Sequence, residues 1–144
     1  MLTVTRGTAV MDTLFNGYKP FAGDIEARDR GSLVAHEDGS ATTNGILGAQ
    51  DRGSLFVSAK DDVYANMIVG VHQRPGDLKV NVCKMKALNN IRSANKSITE
   101  GIVPPLETGL DMAVEYIQED EARTVTPSKV RMLKNPAMDK KRKA

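Results

Sequence analysis

The sequence predicts an α+β domain of short antiparallel strands, barrel-like or in small mixed sheets, with one long amphipathic helix near residues 108–120. Three observations predict it. Apolar residues fall in short runs separated by turn pairs such as Asn16-Gly17, Asp38-Gly39 and Pro75-Gly76. The run Met67-Ile68-Val69-Gly70-Val71-His72 is the most apolar in the chain and reads as a buried central strand. One stretch only, with Leu110, Ala113, Val114 and Ile117, has the spacing of one helical face.

The bounds agree with this class. The 144 residues, 40% hydrophobic and 26% charged, suffice for one domain with a real core. Aromatics make up 4% and tryptophan is absent, which argues against a nucleic-acid site built on stacked bases. The single cysteine, Cys83, excludes an internal disulfide and a cysteine-cluster zinc site. No apolar run approaches the ~18 residues of a membrane helix, and residues 1–6 lack the apolar core of a signal peptide.

Taken in order, Thr8 to Phe15 reads as a strand stopped by Asn16-Gly17, and Tyr18 to Gly23 as a linker broken by Pro20 and Gly23. An internal echo follows. Asp29-Arg30-Gly31-Ser32-Leu33 recurs as Asp51-Arg52-Gly53-Ser54-Leu55, each copy a turn opening onto an apolar strand. A structural role for the echo is favoured over a functional one. Asp38-Gly39 marks a hairpin, after which Thr42-Thr43 can pair back against Val34. Gly45 to Ala49 suits one helical turn or a short strand. Asp61-Asp62 lacks the spacing of a calcium loop and reads as an exposed acidic turn. His36 and His72 sit on separate turns, where a packed or solvated role is the default. Leu78 to Val82 alternates as a further short strand.

Asn81 to Ile98 then carries Lys84, Lys86, Arg92 and Lys96 with no acid among them. Asn89, Asn90, Ser93, Asn95 and Ser97 stand between the bases. Amides and small hydroxyls can hydrogen-bond phosphate oxygens and sugars while the bases supply charge. No helical or alternating period fits the stretch, so it reads as a polar, basic loop. A solvated loop that binds nothing is the rival reading.

Ile102-Val103-Pro104-Pro105 is extended. The helix follows, with Thr108 as its cap and Asp111 in the capping-box position. Glu115, Gln118, Glu119, Asp120 and Glu121 read as its solvated face and exit. Two strand segments then flank a Pro127-Ser128 turn, and Lys129 and Arg131 share one face of the second. Lys134-Asn135-Pro136 ends order, and residues 135–144 read as a disordered basic tail.

The net charge of +2 conceals a division: residues 1–83 carry −2, residues 84–100 carry +3, residues 101–127 carry −5 and residues 128–144 carry +6. Two basic zones flank an acidic one. The chain has no Gly-x-x-x-x-Gly-Lys-Ser/Thr loop and no Gly-x-Ser-x-Gly elbow. Cys83 has no histidine that can be placed beside it, so no catalytic residue is named.

Several motifs together resemble one family. They are Thr5-Arg6-Gly7-Thr8, Asp51 to Val57, Val63-Tyr64-x-x-Met67-Ile68-Val69-Gly70, Asn89-Asn90-Ile91-Arg92-Ser93 and Val125-Thr126-Pro127-Ser128-Lys129-Val130-Arg131. They resemble the C-terminal end of the BipA/TypA translational GTPases, from near residue 1 to about Leu133. Ala122-Arg123-Thr124 departs from the family, which more often has an aliphatic and acidic stretch there. His72 to Leu78 is most similar to cyanobacterial and plastid members.

The resemblance implies that residues 1–20 are the last strand and linker of a preceding ferredoxin-like domain, and that residues 21–134 are the family-specific C-terminal domain. It implies a ribosome-binding module for translation or ribosome assembly under stress, in the cytoplasm or, alternatively, the chloroplast stroma. The partners implied are large-subunit rRNA and the acceptor arm of tRNA, with no membrane and no small-molecule substrate. The chain itself is then no enzyme and needs no cofactor or metal, GTP and Mg²⁺ belonging to the GTPase domains of the whole protein. RNA contact falls to Lys84, Lys86, Asn89, Arg92, Ser93, Lys96, Lys129, Arg131 and Lys134. The alternative is a protein-interaction module that binds no RNA.

Overall fold

A computed structural model describes residues 5, 8–21, 23, 28–85 and 101–135. Its elements in chain order are β1 (Ser32–Ala35), β2 (Gly39–Ser40), α1 (Thr43–Gln50), β3 (Gly53–Leu55), β4 (Asp62–Val63), β5 (Met67–His72), β6 (Leu78–Val80), α2 (Leu110–Tyr116), β7 (Glu121–Val125) and β8 (Val130–Lys134). The class is α+β as predicted, and of the two sheet arrangements expected it is the mixed one that is found: the main sheet is mixed and, among the described residues, does not close into a barrel.

The apolar run Met67–His72 is the central strand. β1 lies antiparallel along one edge of β5. The other edge is shared: β3 pairs with Gly70–His72 and β8 with Met67 and Ile68. The outer strands are β6, parallel to β1, and β7, antiparallel to β8. Because strand side chains alternate between faces, β5 feeds two cores. Met67 and Val69 join Leu33, Ile46, Ala49 and Leu55 under α1. Ile68 joins Ala113 and Met132 under α2.

The internal echo has a structural cause. Leu33 and Leu55 both stand opposite Gly70, and Ser32 and Ser54 both stand opposite Val71. The two copies thus flank β5 in one register. A Cβ on Gly70 would lie 2.4 Å from the Ser54 carbonyl oxygen, so only glycine fits between them. Gly31 and Gly53, the glycines of the two copies, meet the Gly76 and Val71 carbonyl oxygens more closely still, each at 1.9 Å from an added Cβ.

Four expectations need correction. Thr42-Thr43 does not pair with Val34. Thr42 caps α1, its Oγ1 accepting a hydrogen bond from Gly45 N at 3.0 Å. The Asp38-Gly39 turn does not close a hairpin on β1, because Gly39 and Ser40 pair instead with Val63 and Asp62. The helix expected near 108–120 spans seven residues, starts at Leu110 and takes Gly109, not Thr108, as its cap. It stops early because Gln118 N donates to the Glu121 carboxylate at 3.1 Å, and Arg28 takes the Tyr116 carbonyl at 3.0 Å. Of the residues on its apolar face, Leu110 and Val114 are 48% and 50% exposed and Ala113 is buried. Finally, residues 8–15 form no strand, and Val10, Leu14 and Phe15 are exposed.

Candidate nucleic-acid interface

The described start of the basic stretch, at Val82 to Lys84, is held by a dipeptide. Ala41 and Thr42 lie between two other chain segments. On one side Ala41 N donates to the Asp61 carbonyl at 2.8 Å, and Lys60 N to the Ala41 carbonyl at 2.7 Å. On the other, Thr42 N donates to the Val82 carbonyl at 2.9 Å, and Thr42 Oγ1 to the Lys84 carbonyl at 2.6 Å. Asn44 Nδ2 reaches the same Lys84 oxygen at 3.4 Å. Gly45 permits this approach, since a Cβ there would stand 2.1 Å from the Val82 carbonyl oxygen.

Lys84 leaves this layer exposed. Lys60, also exposed, enters from the other side with φ +75°, a conformation rare for lysine. Asp61 carries the connection onward. Lys129 Nζ lies 2.8 Å from Asp61 Oδ1 and Ser58 N donates to Oδ2 at 2.8 Å. The Lys129 hydrogen bond, then that of Ser58, hold the Asp61 carboxyl below the usual range against a smaller opposing effect of burial. Lys129 is set by its turn, where Thr126 N donates to its carbonyl and its own N donates to Thr126 Oγ1. Arg131 follows in β8, its guanidinium 5.9 Å from the Tyr64 ring centre. The Lys84 and Lys60 backbones are thus linked through Thr42 and Ala41, Ala41 is linked to Asp61, the ion-pair partner of Lys129, and Arg131 follows Lys129 by two residues.

Lys60 was not legible as a candidate. In the sequence it stands alone before two aspartates, and only the Ala41 pairing brings its backbone beside the start of the basic stretch. Lys86, Asn89, Arg92, Ser93 and Lys96 lie outside the described residues.

Lys134 is placed differently. Its ammonium lies 2.7 Å from Asp77, 2.7 Å from Glu121 and 3.2 Å from Asp120, and its side chain is 13% exposed. Glu121, fully buried at its side chain, also meets Arg28 at 2.9 Å and Ser32 Oγ at 2.8 Å. Burial alone would raise the Glu121 pKa, but hydrogen bonds from Lys134, Arg28 and Ser32 outweigh it and hold the carboxyl below its ordinary value. Asp77 is lowered in the same way, burial being overcome by Lys134 and the Ser32 amide. Burial works against the charge on Lys134, yet its three carboxylates raise its pKa. The charge of Lys134 is therefore committed within the fold.

An open groove of about 550 Å³ lies beside Lys129 and Arg131, floored by Phe56, Ile68 and Met132 and edged by Pro105 to Gly109. His72 Nδ1 lies 2.8 Å from the Gly76 carbonyl, a contact within its own turn for that half-buried residue.

The sequence profile of the TypA/BipA C-terminal domain matches residues 30–139. The chain belongs to the TypA/BipA family. It is 55% identical over 141 residues to the chloroplastic TypA-like protein SVR3 of Arabidopsis thaliana, covering 98% of this chain and 21% of that protein. It is 44% identical to the large ribosomal subunit assembly factor BipA of Bacillus subtilis and 41% to that of Synechocystis, covering 92% of this chain and 22% of each. The chain thus spans about a fifth of the length of these relatives. The TypA/BipA profile begins within the first Asp-Arg-Gly-Ser-Leu copy and takes in β1 through β8. No helix among the described residues is long and apolar enough to cross a membrane.

Proposed function

We propose that this TypA/BipA domain docks the protein on the ribosome by contacting RNA phosphates, chiefly of large-subunit rRNA and the tRNA acceptor arm. The carrying observation is the layer at Ala41-Thr42, which links the Lys60 and Lys84 backbones and, through Asp61, Lys129, at the start of a stretch carrying three further bases. Two relatives bear the name large ribosomal subunit assembly factor, which supports the ribosome as partner. On this reading the contacts are to phosphate and sugar rather than base identity. The contact set is Lys60, Lys84, Lys86, Asn89, Arg92, Ser93, Lys96, Lys129 and Arg131. Lys134, committed to carboxylates, is left out. GTP hydrolysis belongs on this reading to other domains of the whole protein, and the chain's own part is binding. The chloroplastic relative favours the plastid stroma as location.

Co-sedimentation of the chain with purified ribosomes tests the proposal. Phosphate contacts release counterions, so affinity should fall at least tenfold between about 50 and 200 mM salt. Absence of binding, or binding indifferent to salt, contradicts it. The apolar floor of the groove beside Lys129 favours the second reading, a protein-interaction module, which predicts the salt-indifferent result.

A further inference from the structure

We propose that Arg30, Arg52 and Arg74 form a second surface for RNA phosphates, separate from Lys60, Lys84 and Lys129. The starting point is the Asp-Arg-Gly-Ser-Leu echo, of which the fold explains only part. Gly31 and Gly53 lie against the Gly76 and Val71 carbonyls, and Leu33 and Leu55 are buried opposite Gly70. Ser32 is buried and bonds Glu121. The arginines are different. Arg30 and Arg52 are exposed, as is Arg74, and among the described residues none of the three side chains has a hydrogen bond or an ion pair. Packing therefore gives no reason for a guanidinium in either copy.

The fold does bring the three together. Gly31 and Gly53 lie on either side of His72: His72 N donates to the Gly31 carbonyl at 2.9 Å, and Gly53 pairs with His72 in register. One residue further on, Gln73 N donates to the Arg52 carbonyl at 3.0 Å and Gly31 N to the Arg74 carbonyl at 3.0 Å. The Arg30 and Arg52 backbones thus flank the 73–74 segment, two strand spacings or about 10 Å apart. The three are far apart in the sequence, in a half of the chain that carries −2, so composition conceals them. They are also distinct from the first basic group. Thr42, which holds Lys84, caps the start of α1, whereas Arg52 follows its end and donates its amide to the Ala49 carbonyl. Eight helical residues at 1.5 Å each put about 12 Å between the two groups.

The chemistry favours phosphate. A guanidinium presents a planar fork that can hold one phosphate through two parallel hydrogen bonds. Asp29 and Asp51 are exposed beside these arginines, and Asp77 is committed to Lys134 and the Ser32 amide. An arginine side chain reaches further from the backbone than an aspartate, so an incoming phosphate can meet the guanidinium groups first. Two phosphate contacts on one domain reinforce each other, because the second forms within an existing complex.

This inference rests on the RNA-binding reading above, and its test separates the two. The chain, a triple variant with Arg30→Gln, Arg52→Gln and Arg74→Gln, and a second with the same positions changed to lysine are co-sedimented with purified ribosomes over one salt series. The glutamine variant should bind at least about tenfold more weakly, with its slope of log affinity against log salt reduced by about two to three units. The lysine variant keeps the charge, so it should keep the slope and bind with intermediate affinity. Circular dichroism and thermal midpoint should stay near wild type in both, since the side chains have no partners in the fold to lose. In the wild-type complex the three arginines should react several-fold more slowly with phenylglyoxal than in the free chain. If the wild type binds with the expected salt dependence and the glutamine variant matches it, this inference is overturned and the RNA reading stands. Weaker binding with an unchanged slope would assign the arginines to a protein contact and also overturn it, as would equal phenylglyoxal rates in the free and bound chain. If the wild type does not bind, or binds indifferently to salt, the RNA reading falls and this inference with it.

Discussion

Glu121 shows how far a residue's role can lie from its sequence context. In the sequence it closes an acidic cluster after a helix, which reads as a solvated exit. In the fold its carboxylate is buried between Arg28 and Lys134 and bonds Ser32 and the Gln118 amide. Nothing local signals this, because its partners are 89 and 93 positions away in two cases. Removing one member of a buried ion cluster leaves the others uncompensated. We expect Glu121→Gln to cost about 3 kcal/mol by urea denaturation. The pH dependence follows from the signs. Glu121 and Asp77 are lowered in the fold, so their contribution is present above the unfolded carboxylate range near pH 4 and lost as pH falls through their folded values. Lys134 is raised, so its contribution is full below its unfolded value and lost as pH rises through the folded one. Stability should therefore decline at both extremes, with a shallower acid limb in Glu121→Gln. An acid limb identical in wild type and variant would show that other carboxylates govern acid unfolding. Lys60 gives a second residue-scale prediction. Glycine suits its φ of +75°, so Lys60→Gly should change stability by less than about 1 kcal/mol while flattening the salt dependence of ribosome binding by about one unit of slope or somewhat less.

At the scale of elements, what the sequence disclosed depended on whether the pattern was local. β5 was legible because a run of consecutive apolar residues needs burial on both faces, and β8 because its bases alternate with apolar residues. The Asp-Arg-Gly-Ser-Leu echo announced two similar strand starts, though not that they would flank one strand in one register. α1 was ambiguous because two of its eight residues are glycine, a poor helix former. The two glycines differ in what holds them there. Gly45 faces the Val82 backbone, whereas Gly48 faces open space. Gly45→Ala should destabilise by about 1–3 kcal/mol through a backbone clash, and Gly48→Ala should stabilise by about 0.5–1 kcal/mol as an exposed helical position. Thermal midpoints of the two variants check this, and equal shifts of one sign would refute the contrast. α2 was overextended because its apolar spacing continues to Ile117, while the chain is drawn out of the helix at Gln118 by Glu121.

For the whole molecule, the partition of charge is the legible part of the function. The basic zones at 84–100 and 128–144 are separated in sequence by an acidic zone, and the fold reduces that separation by linking Lys84 to Lys129 through Thr42, Ala41 and Asp61. It also removes part of the acidic zone from the surface, since Glu121 is buried and Asp120 meets Lys134. That regrouping depends on tertiary pairing, which composition does not reveal. We propose that the basic stretch at 84–96, and not the basic tail, carries ribosome binding. The most direct measurement compares two variants of the chain by ribosome co-sedimentation over one salt series, both with wild-type circular dichroism. One combines Lys84→Ala, Lys86→Ala, Arg92→Ala and Lys96→Ala, and the other lacks residues 135–144. The loop variant should bind more weakly, with the salt slope reduced by about three to four units if every base meets a phosphate, and the tail deletion should lose less. A loop variant that binds as tightly as wild type, beside a tail deletion that does not, would contradict the account.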